Sequence, residues 1–132
     1  MVDYRVELIL MPVSDVDRAR AFYGDQLGWP VDHDQTVDEH TRFVQVTPPG
    51  SACSIAFGRG ISQMEPGSLQ AIQVVVASAD EALADLTARG VEAQGVDDQP
   101  WGRFVTFSDP DGNSWTVQEL PDYSQQAQER AQ

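Results

Sequence analysis

The residues with most chemistry to offer crowd into one short stretch. Asp32-His33-Asp34-Gln35-Thr36-Val37-Asp38-Glu39-His40 holds both histidines of the chain and four carboxylates, the donor types that divalent cations select. Their spacing matches no standard ligand pattern, so a solvated charged segment running from a strand end into a loop is the plainer reading. Either His33 or His40 could still orient a substrate or exchange a proton near neutral pH. Cys53 lies in the apolar stretch Ala52-Cys53-Ser54-Ile55-Ala56-Phe57, which suits a buried thiol better than a nucleophile. Glu119, beside Gln118, is a carboxylate with no evident partner. The chain has neither a nucleophile-elbow serine nor a glycine-rich phosphate loop.

The elements that must position such residues fit into 132 positions, enough for one ordinary domain or two very small ones. With 41% hydrophobic residues there is material for a core, so disorder of the whole chain is not expected. Every basic residue is arginine, eight of them scattered along the chain against 21 acidic residues, for a net charge of −13. That balance opposes nucleic acid, which needs a cationic stripe, and anionic membrane surfaces. It favours solubility, and gives weak support to a cationic ligand. A lone cysteine excludes an internal disulfide, and no basic-then-apolar leader or long apolar run is seen. A cytoplasmic location is expected.

Two markers recur in order. Val13-Ser14-Asp15-Val16-Asp17-Arg18-Ala19 returns in outline as Val76-Ala77-Ser78-Ala79-Asp80-Glu81-Ala82, an offset of 63. Arg42-Phe43-Val44-Gln45-Val46-Thr47 returns as Arg103-Phe104-Val105-Thr106-Phe107-Ser108, an offset of 61. The near-equal offsets indicate a duplicated unit. Each half opens with an apolar run suited to a strand, Val6 to Val13 or Leu69 to Val76, and reaches a capping side chain, Asp15 or Ser78. Helices follow over Asp17 to Leu27 and Asp80 to Arg89, stopped by Gly28 and Gly90. Three strands then come in each half: near Val31 to Asp34, Thr41 to Thr47 and Ala52 to Phe57, and near Glu92 to Gly95, Phe104 to Ser108 and Ser114 to Leu120. The reading is α+β, a β-α-β-β-β module at residues 4–58, a second at 68–120, a turn-rich linker at 59–67 and a polar tail at 121–132, frayed helix or disordered.

These features resemble the vicinal oxygen chelate superfamily, which contains glyoxalase I, bleomycin-resistance proteins and extradiol dioxygenases. The resemblance rests on Val13 to Ala19, Phe22-Tyr23, Leu27-Gly28, Trp101-Gly102-Arg103-Phe104 and Asp109-Pro110-Asp111-Gly112-Asn113-Ser114-Trp115. It implies two tandem modules whose sheets curl into an open cleft, commonly in a homodimer. In metal-dependent members, His and Glu side chains there hold one divalent ion that polarises the substrate. Carried over one by one, those ligand positions fall on Leu8, Ala71, Thr116, and Ser54 or Ala56. None is an imidazole or a carboxylate, so no metal and no other cofactor is expected. What remains is an apolar, hydroxyl and amide lining for a small organic ligand: Leu8, Leu10, Ser54, Ala71, Gln73, Trp101, Arg103, Thr116 and Gln118. The expected function is a bleomycin-resistance-like binding protein. Its rival is a lyase, isomerase or dioxygenase of the same superfamily that uses a displaced metal or acid/base site, so catalysis stays open.

Overall fold

A computed structural model describes residues 1–122; of the expected tail, residues 123–132 lie outside the described residues. Two compact units emerge, one of Met1–Gln70 with Ser108–Asn113, the other of Ala71–Phe107 with residues 114–122.

In the first unit the elements are β1 (Leu8–Leu10), α1 (Val16–Arg20, continuing in wider π-helical turns over Ala21–Gln26), β2 (Val31–Asp38), β3 (Thr41–Val46) and β4 (Ser54–Arg59). Their sheet order is β1-β4-β3-β2, with β1 parallel to β4 and the remaining pairs antiparallel. Asp15 caps α1 by accepting the Arg18 backbone N–H at 3.1 Å, and Gly28, with φ of 74°, ends the helical segment. The helix sets Phe22 and Tyr23 among Ile55, Phe57, Val44 and Val46, all buried. Tyr23 lies at the centre, its ring 5.0 Å from Phe22 edge-on and 5.6 Å from Phe57. Its hydroxyl donates to Asp109 Oδ2 at 2.8 Å. Asp109 also accepts from the Asn113 side chain and from the Asp111 and Asn113 backbone, while Asn113 donates to the Pro12 carbonyl at 2.8 Å. Buried polar groups here are thus mutually satisfied.

The second unit repeats the pattern with β5 (Ile72–Val76), α2 (Ala79–Ala88), β6 (Ala93–Gln99), β7 (Gly102–Ser108) and β8 (Ser114–Glu119), in sheet order β5-β8-β7-β6. Ser78 caps α2 by accepting the Glu81 N–H at 3.2 Å, and Gly90 follows it at φ 79°. Alternation divides the sheet. Val105, Phe107, Trp115 and Val117 are buried with Ala79, Leu86 and Val91, and the Phe107 and Trp115 rings lie parallel at 5.9 Å. Phe104, Thr106 and Thr116 point to the opposite face.

Three boundaries differ from expectation. The first strand is only Leu8–Leu10, and Val2, Tyr4 and Val6 before it are exposed. The charged stretch at 32–40 is not a strand end and loop: β2 continues to Asp38 and pairs with β3 as a long hairpin arm. Likewise β6 runs beyond Gly95 to Gln99. Both arms are hydrogen-bonded ribbons with largely exposed side chains, so the backbone forms strands where hydrophobic alternation is weak.

Candidate functional site

On the open face of the second sheet lies a hollow of about 360 Å³ lined by Asp97, Gln99, Trp101, Phe104, Thr106 and Thr116. Register explains how they meet. Gln94 pairs with Thr106 and Asp97 with Phe104, so β6 spends one more residue than β7 between those pairs. This bulge turns Asp97, rather than Val96, onto the Phe104 and Thr106 face. Gly95 permits it: at φ 142°, an added Cβ would stand 2.7 Å from the Phe104 carbonyl oxygen and 3.2 Å from Val105 Cα. Gln99 Nε2 donates to Asp97 Oδ2 at 3.0 Å.

Trp101 occupies the β6–β7 turn with 61% of its surface exposed. Its backbone is anchored from below. The Gln118 side chain, buried in β8, donates to the Trp101 carbonyl at 2.9 Å and accepts a hydrogen bond from Gln73 Nε2. Gly102 makes room for that amide, since a Cβ there would stand 2.8 Å from Gln118 Nε2 and 2.9 Å from the Glu119 carbonyl oxygen.

Of the residues singled out in the sequence, Trp101 and Thr116 line the hollow, and Gln73 and Gln118 form the amide chain beneath Trp101. Arg103 is engaged elsewhere: Nε meets Asp98 at 2.7 Å, and Nη1 and Nη2 meet Asp80 at 2.8 and 3.3 Å. These bonds hold the Asp80 carboxyl below its ordinary pKa and the guanidinium above its own. Glu119 accepts the Ala79 N–H at 2.9 Å at the start of α2. Ala71 stands just before β5 at φ 57°, its N–H donating to Ser114 Oγ at 2.7 Å, and Thr116 pairs with Gln73 rather than with Ala71.

In the first unit, Leu8 pairs with Ser54 and Leu10 with Ala56. Ser54 is buried, its Oγ 2.7 Å from Thr47 Oγ1, which also bonds Asp32. His33 pairs with Gln45 on the exposed β2 arm, and His40, at the arm's tip, lies 3.3 Å from Glu39. The chemistry of a family-type metal centre does not fit these positions, because alkyl and hydroxyl groups stand where imidazole and carboxylate would be needed. Among the described residues no group of three or more His, Cys, Asp and Glu side chains is disposed to hold a metal ion.

Sequence reasoning missed Asp97, Gln99, Phe104 and Thr106. Phe104 and Thr106 were legible as alternate residues of a strand; Asp97 and Gln99 were not, because the bulge inverts the parity that alternation would assign.

Comparison with known proteins gives the same frame. The family model for the Glyoxalase/Bleomycin resistance protein/Dioxygenase superfamily matches residues 5–117. The chain belongs to that superfamily. TnmS3, described as an antibiotic binding protein from Streptomyces sp. CB03234, is 36% identical, with a TM-score of 0.81 over 92% of this chain and 99% of that one. A superfamily member from Sphaerobacter thermophilus is 34% identical, with a TM-score of 0.76 over 89% and 98% of the two chains. An uncharacterized protein of Bacillus subtilis, YetH, is 23% identical over 87% of this chain and 98% of its own. The two four-stranded sheets, each with one helix, match the tandem β-α-β-β-β modules that the resemblance implies. No helix among the described residues is long and apolar enough to cross a membrane.

Proposed function

We propose that this superfamily member is a binding protein for a small organic molecule, held without the family-type divalent metal site in the hollow of the second sheet. The observation that carries the reading is the lining itself: two aromatic rings, two threonine hydroxyls, one amide and one carboxylate around about 360 Å³. That is the size and the mixture of apolar wall with a few polar contacts that ligand sites favour. Likeness to an antibiotic binding protein at 36% identity supports a ligand of that general kind. Trp101 and Thr116 supply contact surface in this reading, and Gln73 and Gln118 hold Trp101 in place. The working form is taken as a homodimer, as the family resemblance implies, and as cytoplasmic, in keeping with a single cysteine.

Thermal-shift screening and calorimetry against a panel of antibiotics and other aromatic small molecules test the proposal. At least one class should stabilise the fold at saturating concentration, and Trp101→Ala should weaken that ligand. Failure of every class would overturn the reading. Stoichiometric Zn, Ni, Fe or Mn retained by protein purified without chelator would replace it with the enzyme alternative.

A further inference from the structure

Resting on that reading, the geometry points to a ligand class: we propose that the hollow selects a flat aromatic molecule carrying a positive charge, its ring on Trp101 and its cation at Asp97. Among the described residues, Asp97 is the only ionisable side chain in the lining. The nearest arginine in sequence, Arg103, is committed to Asp80 and Asp98 and does not line the hollow. Asp97 Oδ2 accepts from Gln99, which leaves its other oxygen open to a ligand donor. Trp101 and Phe104 supply π faces, which attract cations electrostatically as well as apolar rings by contact. An anionic ligand would meet an uncompensated carboxylate inside a chain of net charge −13.

The placement of Asp97 is built into the backbone. The Gly95 bulge brings a carboxylate, in place of Val96, to the face occupied by Phe104 and Thr106. With regular pairing the same sequence would put valine there, and the hollow would carry no charge. The bulge therefore decides charge selectivity, while the amide chain from Gln73 through Gln118 to the Trp101 carbonyl fixes the ring platform.

Calorimetry at pH 7.5 with three acridines of nearly equal size separates this inference from the broader one: N-methylacridinium as the cation, acridine as the neutral ring and acridine-9-carboxylate as the anion. The cation should bind about five- to tenfold more tightly than the neutral ring, the range expected of a partly desolvated ion pair aided by an aromatic face. Asp97→Asn should remove most of that preference and leave acridine binding unchanged. Asp25→Asn, which removes one charge from an exposed site in the first unit, should leave the preference intact. Trp101→Ala should weaken all three. Equal affinity for cation and neutral ring, or the same loss in Asp25→Asn as in Asp97→Asn, would overturn the charge assignment while sparing the proposed function. Binding of all three unchanged by Trp101→Ala and Asp97→Asn would remove the hollow as the site, and no binding of any would overturn the flat-aromatic class while sparing the proposed function, which the wider panel tests.

Discussion

Arg103 in the second unit stands where Arg42 stands in the first, and each guanidinium ties the first turn of a helix to the neighbouring strand arm. Arg42 bonds Asp34 of β2 through Nε and Nη2, both at 3.0 Å, and Asp17 of α1 through Nη1 at 2.7 Å. Arg103 spans Asp98 of β6 and Asp80 of α2 in the same manner. The duplicated sequence thus carries a duplicated clamp, with Asp17 and Asp80, and Asp34 and Asp98, at nearly the same offset as the arginines. Forked donors suit this double contact, which a lysine could not reproduce.

The two clamps should differ in worth. Arg42 has 14% of its side chain exposed and Arg103 35%, so water competes more strongly for the second. Arg42→Ala should cost about 1 kcal/mol or slightly more in urea unfolding, and Arg103→Ala less. Equal losses would show that exposure does not set the difference.

Acid should weaken the first clamp. The Arg42 hydrogen bonds hold the Asp34 carboxyl below its ordinary pKa; burial opposes them, and the Arg42 and Arg20 charges each add a smaller effect in the lowering direction. A carboxyl depressed in the folded state contributes stability that is present above its unfolded pKa, about 3.9, and lost as pH falls through the folded value. Urea midpoints measured from pH 7 downward should therefore drop below about pH 4, and Asp34→Asn should flatten that part of the curve. An unchanged slope in the variant would show that Asp34 does not contribute.

The buried Tyr23–Asp109 hydrogen bond offers a graded test. Tyr23→Phe keeps the ring packing and removes one donor, which should cost about 1–2 kcal/mol. Asn113→Ala removes donors to both Asp109 and the Pro12 carbonyl and the acceptor for the Leu69 N–H, and should cost about 2–4 kcal/mol. Thermal or urea unfolding of the two variants gives the order, and a larger loss for Tyr23→Phe would contradict the network as drawn.

Gly102→Ala should be worse than Gly112→Ala. Both glycines have positive φ, but a Cβ at 112 meets nothing within 4 Å, whereas at 102 it meets Gln118 and the Glu119 backbone. Gly112→Ala should cost about 1 kcal/mol from backbone conformation alone. Gly102→Ala adds displacement of the Gln118 amide, visible as changed Trp101 fluorescence in protein whose other tryptophans, Trp29 and Trp115, are replaced by phenylalanine.

Much of the architecture could be read from residue order because it rests on local chemistry. Asp15 and Ser78 cap helices, Gly28 and Gly90 end them, and Val, Ile and Phe alternate in the strands that build each core. Such signals act within a few residues of each other. The absence of ligating side chains at Leu8, Ala71, Thr116 and Ser54 could likewise be read directly, since donor chemistry belongs to the residue type. The hairpin arms were less legible: β2 and β6 extend through charged, exposed residues held by cross-strand hydrogen bonds rather than by burial.

By itself, then, the sequence determined a duplicated module, where its helices start and end, and the residue types at the positions to which the resemblance points. Tertiary structure decided which side chains share a face. One extra residue at Gly95 reverses parity and brings Asp97 and Gln99 to Trp101 and Thr116, and ion pairing turns Arg103 to the helix rather than the hollow. The physical reason is that facing depends on register, and register is set by hydrogen bonds and steric room between strands distant in sequence, quantities that no single stretch of residues contains.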